Sequence, residues 1–204
     1  MLIKICGLTT VDDARRALEA GADYLGFVLY PKSPRCVTVD ELSRIVEGLP
    51  VTAKKVGVFV NEPPDRVSEI VERCGLSAAQ LHGDENPAGF GDLGVSVWRA
   101  IRLRDGRWSP DPDLWIPERY VMDADSPAYG GAGMRVDWDA AKAFVEEHHC
   151  MLAGGLTPVN VGEAIRRVRP AGVDVSSGVE LSPGKKDHRK VEIFIRAVRD
   201  AEKK

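Results

Sequence analysis

The sequence predicts an α/β protein that folds as a single-domain (β/α)8 TIM barrel over residues 1–204. Two observations predict this class. Short apolar runs alternate with segments of helical periodicity along the whole chain. Eight strand-and-connection units also fit the length, at a spacing of about 25 residues, which is within the lower size range of such barrels. A doubly wound open sheet alternates strands and helices too, and it remains the alternative.

Eight runs are predicted to be strands because they are short, apolar and rich in β-branched or aromatic residues, as strands covered on both faces are. The run at 23–30 is almost continuously apolar. The first run ends directly in Cys6 and Gly7, which predicts a tight turn just past a thiol. The predicted strands cover residues 2–5, 23–30, 55–60, 78–81, 95–101, 119–123, 150–153 and 172–175.

The helices are predicted from their apolar spacing and from capping residues. Thr9 and Thr10 supply hydroxyls before the first helix, Gly21 stands at its C-terminal cap, and Thr38 caps the second helix. Prolines interrupt the stretch 102–117, where we expect a loop with up to one turn of helix. The predicted helices cover residues 11–20, 38–49, 64–74, 138–147, 159–168 and 187–201, with a short helical region near 87–93.

Composition and charge exclude several functional classes. The chain is 44% hydrophobic and 29% charged, with a net charge of -3 and a pI near 5.9, so we expect neither a nucleic-acid binder nor a membrane binder. Four widely spaced cysteines, with no CxxC pair and no nearby histidine at metal-ligand spacing, predict neither a disulfide framework nor a zinc site. We expect a cytoplasmic protein with reduced thiols; both a monomer and a homodimer remain open. The cysteines are Cys6, Cys36, Cys74 and Cys150.

Residues with useful chemistry follow the predicted strands, where the ligand sites of α/β folds lie. We interpret Cys6 and Asp123 as an acid/base pair: a thiol acts as a base once its pKa is lowered, and a partly desolvated aspartate can stay protonated and act as an acid. The planar fork of Arg35 suits a carboxylate. We expect His82 to be a hydrogen-bonded structural histidine. The residues at or after the first six strands are Cys6, Arg35, Asn61, His82, Arg99 and Asp123.

The last two strands lead into small residues instead. Gly154 and Gly155 follow the seventh strand, and Ser177 and Gly178 follow the eighth. Loops of this kind leave backbone N–H groups free to approach an anion, at the two positions where such barrels hold a phosphate. The sequence therefore predicts a phosphorylated small-molecule ligand.

Several stretches in this order resemble the phosphoribosylanthranilate isomerases of tryptophan biosynthesis along almost the entire chain. The resemblance implies a (β/α)8 barrel that performs an Amadori rearrangement without a cofactor. It also implies that Asp123 is the general acid, Cys6 the general base and Arg35 the ligand of the anthranilate carboxylate, with the phosphate on the backbone of the two small-residue loops. The stretches are residues 4–9, 26–28, 33–35, 56–61, 80–83, 123, 130–133, 137–138, 154–156, 174–180 and 183–187.

Two positions depart from the family pattern. Met134 stands where the family commonly has a lysine, and Cys36 stands where an aromatic residue often follows the arginine. Two other functions stay open at this point. A dual-substrate sugar isomerase of the histidine and tryptophan pathways performs the same rearrangement but has an aspartate in place of Cys6. A catalytically silent phosphosugar-binding barrel would need neither Cys6 nor Asp123.

Overall fold

Eight parallel strands close into a barrel. The computed structural model describes residues 1–91, 93–124 and 136–203. Each barrel strand pairs with the next along the chain, and the eighth pairs with the first. The barrel prediction is confirmed and the open-sheet alternative is wrong. The strands are β1 (Leu2–Ile5), β2 (Tyr24–Val28), β3 (Lys55–Phe59), β4 (Ala78–Leu81), β5 (Ser96–Arg104), β6 (Arg119–Met122), β7 (Cys150–Leu152) and β8 (Gly172–Val175).

Six α-helices surround the barrel within the described residues. Thr10 accepts a hydrogen bond from the N–H of Asp13, and Thr38 and Glu41 form a reciprocal capping box. Gly21 ends the first helix with φ 105°, a conformation that favours glycine. The helices are α1 (Val11–Ala20), α2 (Val39–Glu47), α3 (Pro64–Cys74), α4 (Trp138–Val145), α5 (Val161–Val168) and α6 (His188–Glu202).

Alternation along each strand divides the core in two. Ile3 and Ile5 of β1 pack outward in the large core cluster beneath the helices. A smaller cluster, to which Tyr24, Val121 and Met151 belong, fills the barrel interior. Successive side chains of a strand point to opposite faces. Whether a residue occupies an odd or an even position along its strand, its parity, therefore decides whether it faces the interior.

The segment between β4 and β5 corrects one prediction. Its described residues form turns and bends where a short helical region near 87–93 was predicted. Gly89 and Gly94 both have positive φ, at 89° and 69°. A continuous α-helix requires negative φ, so the chain crosses this side of the barrel without one.

The segment after β5 holds a hairpin that was not predicted. Asp105 and Gly106 both have positive φ and form a two-residue turn, after which Arg107–Ser109 pairs antiparallel with the end of β5. Pro112–Leu114 then forms the single helical turn that was expected.

The connection from β8 to α6 carries a two-stranded antiparallel ribbon, in which Glu180–Ser182 pairs with Lys185–Lys186. The predicted glycine-rich loop at 129–133 and Met134 lie outside the described residues. Among the helices of the described ranges, none combines the length and the apolarity needed to cross a bilayer.

Candidate active site

Cys6 and Asp123 both belong to the interior at the carboxyl ends of their strands. Cys6 follows β1 and has the parity of Lys4, while Asp123 follows β6 and has the parity of Val121. Both residues are more than nine-tenths buried. The strand-end placement predicted from the sequence is therefore what the fold produces.

A buried ion pair adjoins the Cys6 thiol. Lys4 is fully buried and donates from Nζ to Oδ2 of Asp174 at 2.8 Å, its register partner on β8. Gly26 of β2 leaves room for this group, since a Cβ there would lie 2.7 Å from Cys6 Sγ and 2.9 Å from Lys4 Cε. Burial raises the pKa of the Cys6 thiol, and the nearby Lys4 ammonium opposes that rise. The pKa of Cys6 stays above its usual value, and the Lys4 ammonium is the largest of the influences that favour the thiolate.

Both carboxylate oxygens of Asp123 have a close polar neighbour. Oδ1 accepts the N–H of Ala124 at 2.8 Å, and Oδ2 lies 3.2 Å from Nε2 of His82. Burial raises the pKa of Asp123, but His82, the Ala124 N–H and the Arg102 guanidinium together hold it below its usual value. The expectation of an aspartate kept protonated by desolvation is therefore wrong in direction, because its neighbours outweigh the burial.

Arg35 does not stand free in its loop. It lies in a bidentate pair with Glu180, with Nε and Nη2 donating to the two carboxylate oxygens at 2.8 and 2.7 Å. Lys186 also donates to Glu180, at 2.8 Å. Burial raises the pKa of Glu180, and the two cations bring it below its usual value. Within the described residues, Nη1 of Arg35 makes no hydrogen bond, so it is the nitrogen left for an anionic ligand.

The two small-residue loops meet. Gly178 lies so close to the loop after β7 that an added Cβ would stand 1.9 Å from the carbonyl oxygen of Leu156. Gly154 and Gly155 have φ of 69° and 65°, a region that other residues rarely adopt. Asn160 shapes this loop by donating to the Gly155 carbonyl at 2.9 Å.

Four backbone N–H groups in these loops have no acceptor within the described parts of the chain. Buried or crowded N–H groups normally find a partner, and a set of unused donors on two touching loops suits an anion. These are the N–H groups of Gly154, Gly155, Ser177 and Gly178.

Arg99 and Asn61 do not join this interior group. Arg99 has the outward parity of Ile101 and donates to Glu85 at 2.6 Å and to the Leu81 carbonyl at 2.8 Å. Asn61 accepts the N–H of Asp84 at 2.7 Å. Both residues fix the loop after β4.

Several charged residues of the site, Lys186 among them, were not predicted. Lys4 and Asp174 each interrupt an otherwise apolar buried strand, and a charge in such a strand is a usable signal because it must be paired. Arg102 donates to the His82 carbonyl at 2.6 Å. Glu180 carries no comparable local signal, since its partner Arg35 is 145 residues away in the chain.

One group of described residues has metal-ligand geometry: Asp12, Asp13 and His188. Its central carboxylate is already engaged, because Asp13 contacts His188 Nε2 at 2.6 Å and accepts the N–H of Lys186 at 3.1 Å. These contacts attach the ribbon to α1, which is a structural role.

Comparison with known proteins agrees with this site. The family model for N-(5'phosphoribosyl)anthranilate (PRA) isomerase matches residues 3–197. N-(5'-phosphoribosyl)anthranilate isomerase of Trichlorobacter lovleyi is 46% identical over 201 residues, which cover 98% of each chain. The crystal structure of phosphoribosyl anthranilate isomerase from Thermotoga maritima has 37% identity and a TM-score of 0.88, over 98% of this chain and 99% of that one.

A further crystal structure shows phosphoribosyl anthranilate isomerase in complex with reduced 1-(o-carboxyphenylamino)-1-deoxyribulose 5-phosphate. It is 35% identical with a TM-score of 0.84, and the match covers 98% of this chain and 99% of that one.

Fold and site together define the class: this is a (β/α)8-barrel isomerase. Within that class, the chain belongs to the N-(5'-phosphoribosyl)anthranilate isomerase family. It is an isomerase of tryptophan biosynthesis.

Proposed function

We propose that the chain rearranges N-(5-phosphoribosyl)anthranilate to 1-(2-carboxyphenylamino)-1-deoxyribulose 5-phosphate with Cys6 as general base and Asp123 as general acid. Asp123 protonates the furanose ring oxygen, and the ring opens to a Schiff base. Cys6 removes the proton from C2 to give an enolamine, which tautomerises to the ketone as C1 gains a proton and the C2 hydroxyl loses one. The reaction moves protons only, so its demands on the protein are a base, an acid and a fixed substrate.

The observation that carries this proposal is the Lys4 ammonium beside Cys6. A thiol buried among apolar groups stays protonated, whereas an adjacent cation favours the thiolate that acts as a base. A silent binding barrel has no use for a thiolate in its interior. The thiol also stands where a dual-substrate enzyme of the related pathways has an aspartate.

Two contacts support the binding roles. Arg35 is held by Glu180 with Nη1 left over, which suits one further bond to the anthranilate carboxylate. The four unused N–H groups of Gly154, Gly155, Ser177 and Gly178 would hold the 5'-phosphate. The reduced product analogue in the related structure carries both a carboxylate and a phosphate. A base that works as a free thiol also supports a reducing compartment, and we place the enzyme in the cytoplasm.

The test is a fluorescence assay that follows loss of phosphoribosylanthranilate, generated in place. The Cys6→Ser and Asp123→Asn variants should each lose roughly a hundredfold or more in kcat, the usual effect of removing a general acid or base. Cys74→Ser is the matched control, because Cys74 is as buried as Cys6 but ends α3, at the opposite end of the barrel.

Three results would count against the proposal. An inert parent that still binds the compound would favour the silent barrel. A parent that also turns over the related histidine-pathway substrate would favour the dual-substrate enzyme. A Cys6→Ser variant as active as the Cys74→Ser control would remove Cys6 from its role.

A further inference from the structure

We propose that His82, oriented by Gln80, is a positioning residue that holds the proton which Asp123 delivers as general acid. This inference rests on the proposed role of Asp123. It assigns to His82 a part in the chemistry that its expected structural role did not include.

The three side chains form a line inside the barrel, from β4 to the end of β6. Gln80 of β4 and His82, two residues on, share one parity, and the Gln80 Nε2 to His82 Nδ1 distance is 2.9 Å. His82 Nε2 lies 3.2 Å from Asp123 Oδ2. Gln80 is 1% exposed and His82 is 6% exposed. Ring rotation is therefore restricted, and each ring nitrogen has a defined neighbour.

The amide orientation sets the tautomer. An amide nitrogen only donates, so with Nε2 of Gln80 on Nδ1, the imidazole carries its single proton on Nε2, facing an ionised Asp123. This state holds no proton that Asp123 could deliver. It agrees with the low pKa of Asp123 described above.

Two buried polar atoms in this line lack a well-oriented partner within the described residues: Gln80 Oε1 and His82 Nε2. Orphaned buried polar atoms are uncommon. Both atoms gain a partner if the pair gains one proton, while Gln80 Nε2 gives up its contact with Nδ1. Gln80 then turns its amide by 180° and Oε1 accepts from Nδ1–H, while Nε2 shares a proton with Asp123.

The proton balance closes. With the additional proton bound, the pair has two forms. Either an imidazolium faces a carboxylate, or a neutral imidazole with its proton on Nδ1 faces a carboxylic acid. The two forms differ by the transfer of one proton from Nε2 to Oδ2. Asp123 then gives that proton to the ring oxygen, which leaves a neutral imidazole with its proton on Nδ1 beside a carboxylate, and a proton taken up from water restores the pair for the next turnover. Among the described residues, Arg102 of β5 also lies beside the pair: its charge acts on Asp123, and its Nη2 donates to the His82 carbonyl.

The pH profile separates this role from a structural one. The pKa of the buried thiol is raised and that of Asp123 is lowered, so kcat rises with pH until the acid begins to lose its proton and is then level until the thiol ionises. In His82→Gln the proton has no second site beside Asp123. The rise should therefore end at a lower pH than in the parent, and the level rate should fall by roughly a hundredfold. At the lowest pH the two rates should converge.

Two variants of Gln80 keep the test sharp if His82→Gln folds poorly. Gln80→Glu offers a charged acceptor to Nδ1–H and should move the end of the rise to higher pH. Gln80→Met offers no acceptor and should move it to lower pH. If Gln80 had only a structural role, both variants would be slower than the parent, but the pH at which the rise ends would not move in opposite directions in the two variants.

Nitrogen-15 spectra of the histidine-labelled protein give a readout that does not depend on activity. The His82 signals are assigned by their loss in His82→Gln. We expect Nε2 to be protonated and Nδ1 unprotonated at alkaline pH. As the pH falls, Nδ1 should gain a proton, and in Gln80→Met it should do so at a lower pH than in the parent. A bare Nδ1 across the whole active pH range would overturn the inference, even where Asp123→Asn shows that the acid itself is correctly assigned. An active Asp123→Asn variant would instead refute the proposed function.

Discussion

Gly26 of β2 is the position at which one added methyl group should disturb the proposed base most directly. An alanine Cβ would lie 2.7 Å from Cys6 Sγ, 2.9 Å from Lys4 Cε and 3.0 Å from Cys6 Cα. The sulfur contact is about 0.7 Å shorter than the 3.4 Å at which ordinary Cβ contacts begin. Because one contact is to the backbone, turning the thiol away cannot relieve the overlap, and β1 and β2 must separate.

Overpacking of this kind costs about 1–3 kcal/mol of unfolding free energy. A displacement of a catalytic group approaching 1 Å lowers kcat by roughly a hundredfold. We therefore expect Gly26→Ala to fold with a reduced urea midpoint and to lose about two orders of magnitude in kcat in the substrate-loss assay. Gly91→Ala is the control, because no atom of the described residues beyond its chain neighbours lies within 4 Å of a Cβ at Gly91. Parental kcat in Gly26→Ala would refute the packing argument.

Three further predictions follow from buried charges and close approaches. Lys4→Met leaves the carboxylate of Asp174 buried and unpaired, so urea denaturation should show that the free energy of unfolding falls by about 3–5 kcal/mol. Alkylation of Cys6 by iodoacetamide should also need a higher pH in this variant. An unchanged pH dependence of alkylation would show that Lys4 does not act on the thiol. Gly178→Ala drives a Cβ into the Leu156 carbonyl, so the inhibition constant of inorganic phosphate should rise about tenfold or more, and unchanged inhibition would move the phosphate elsewhere. Burial raises the pKa of Glu180, but its two cationic partners bring that pKa below its usual value. The contribution of Glu180 to stability is therefore present above the unfolded-state pKa and is lost as the pH falls through the lower folded-state pKa. The melting temperature of Glu180→Gln should fall less in acid than that of the parent, and an equal fall would contradict this.

Features with a local cause could be predicted from the sequence. Thr10, Thr38 and Gly21 cap their helices as expected because capping depends on the residue and its immediate neighbours. Cys6 and Asp123 were placed at strand ends because the periodicity located the strands. The Asp105–Gly106 hairpin was missed although its signal was local: an Asp-Gly pair is typical of a two-residue turn.

Features with distant partners could not be read from the chain. Lys4 and Asp174 are 170 residues apart, and their pairing depends on β8 closing the barrel beside β1. The same closure brings Glu180 to Arg35, although the two residues are 145 positions apart in the chain. The low pKa of Asp123 likewise depends on neighbours from β4 and β5 that only the folded barrel supplies.

The step assigned to Cys6 is the removal of the proton at C2, and its direct measurement is the release of tritium from substrate labelled at that carbon. The account predicts that the parent releases tritium into water as it turns over and that Cys6→Ser slows this release by roughly a hundredfold or more, while Cys74→Ser releases it at the parental rate. Release by Cys6→Ser at the parental rate would contradict the central claim, because another group would then be the base.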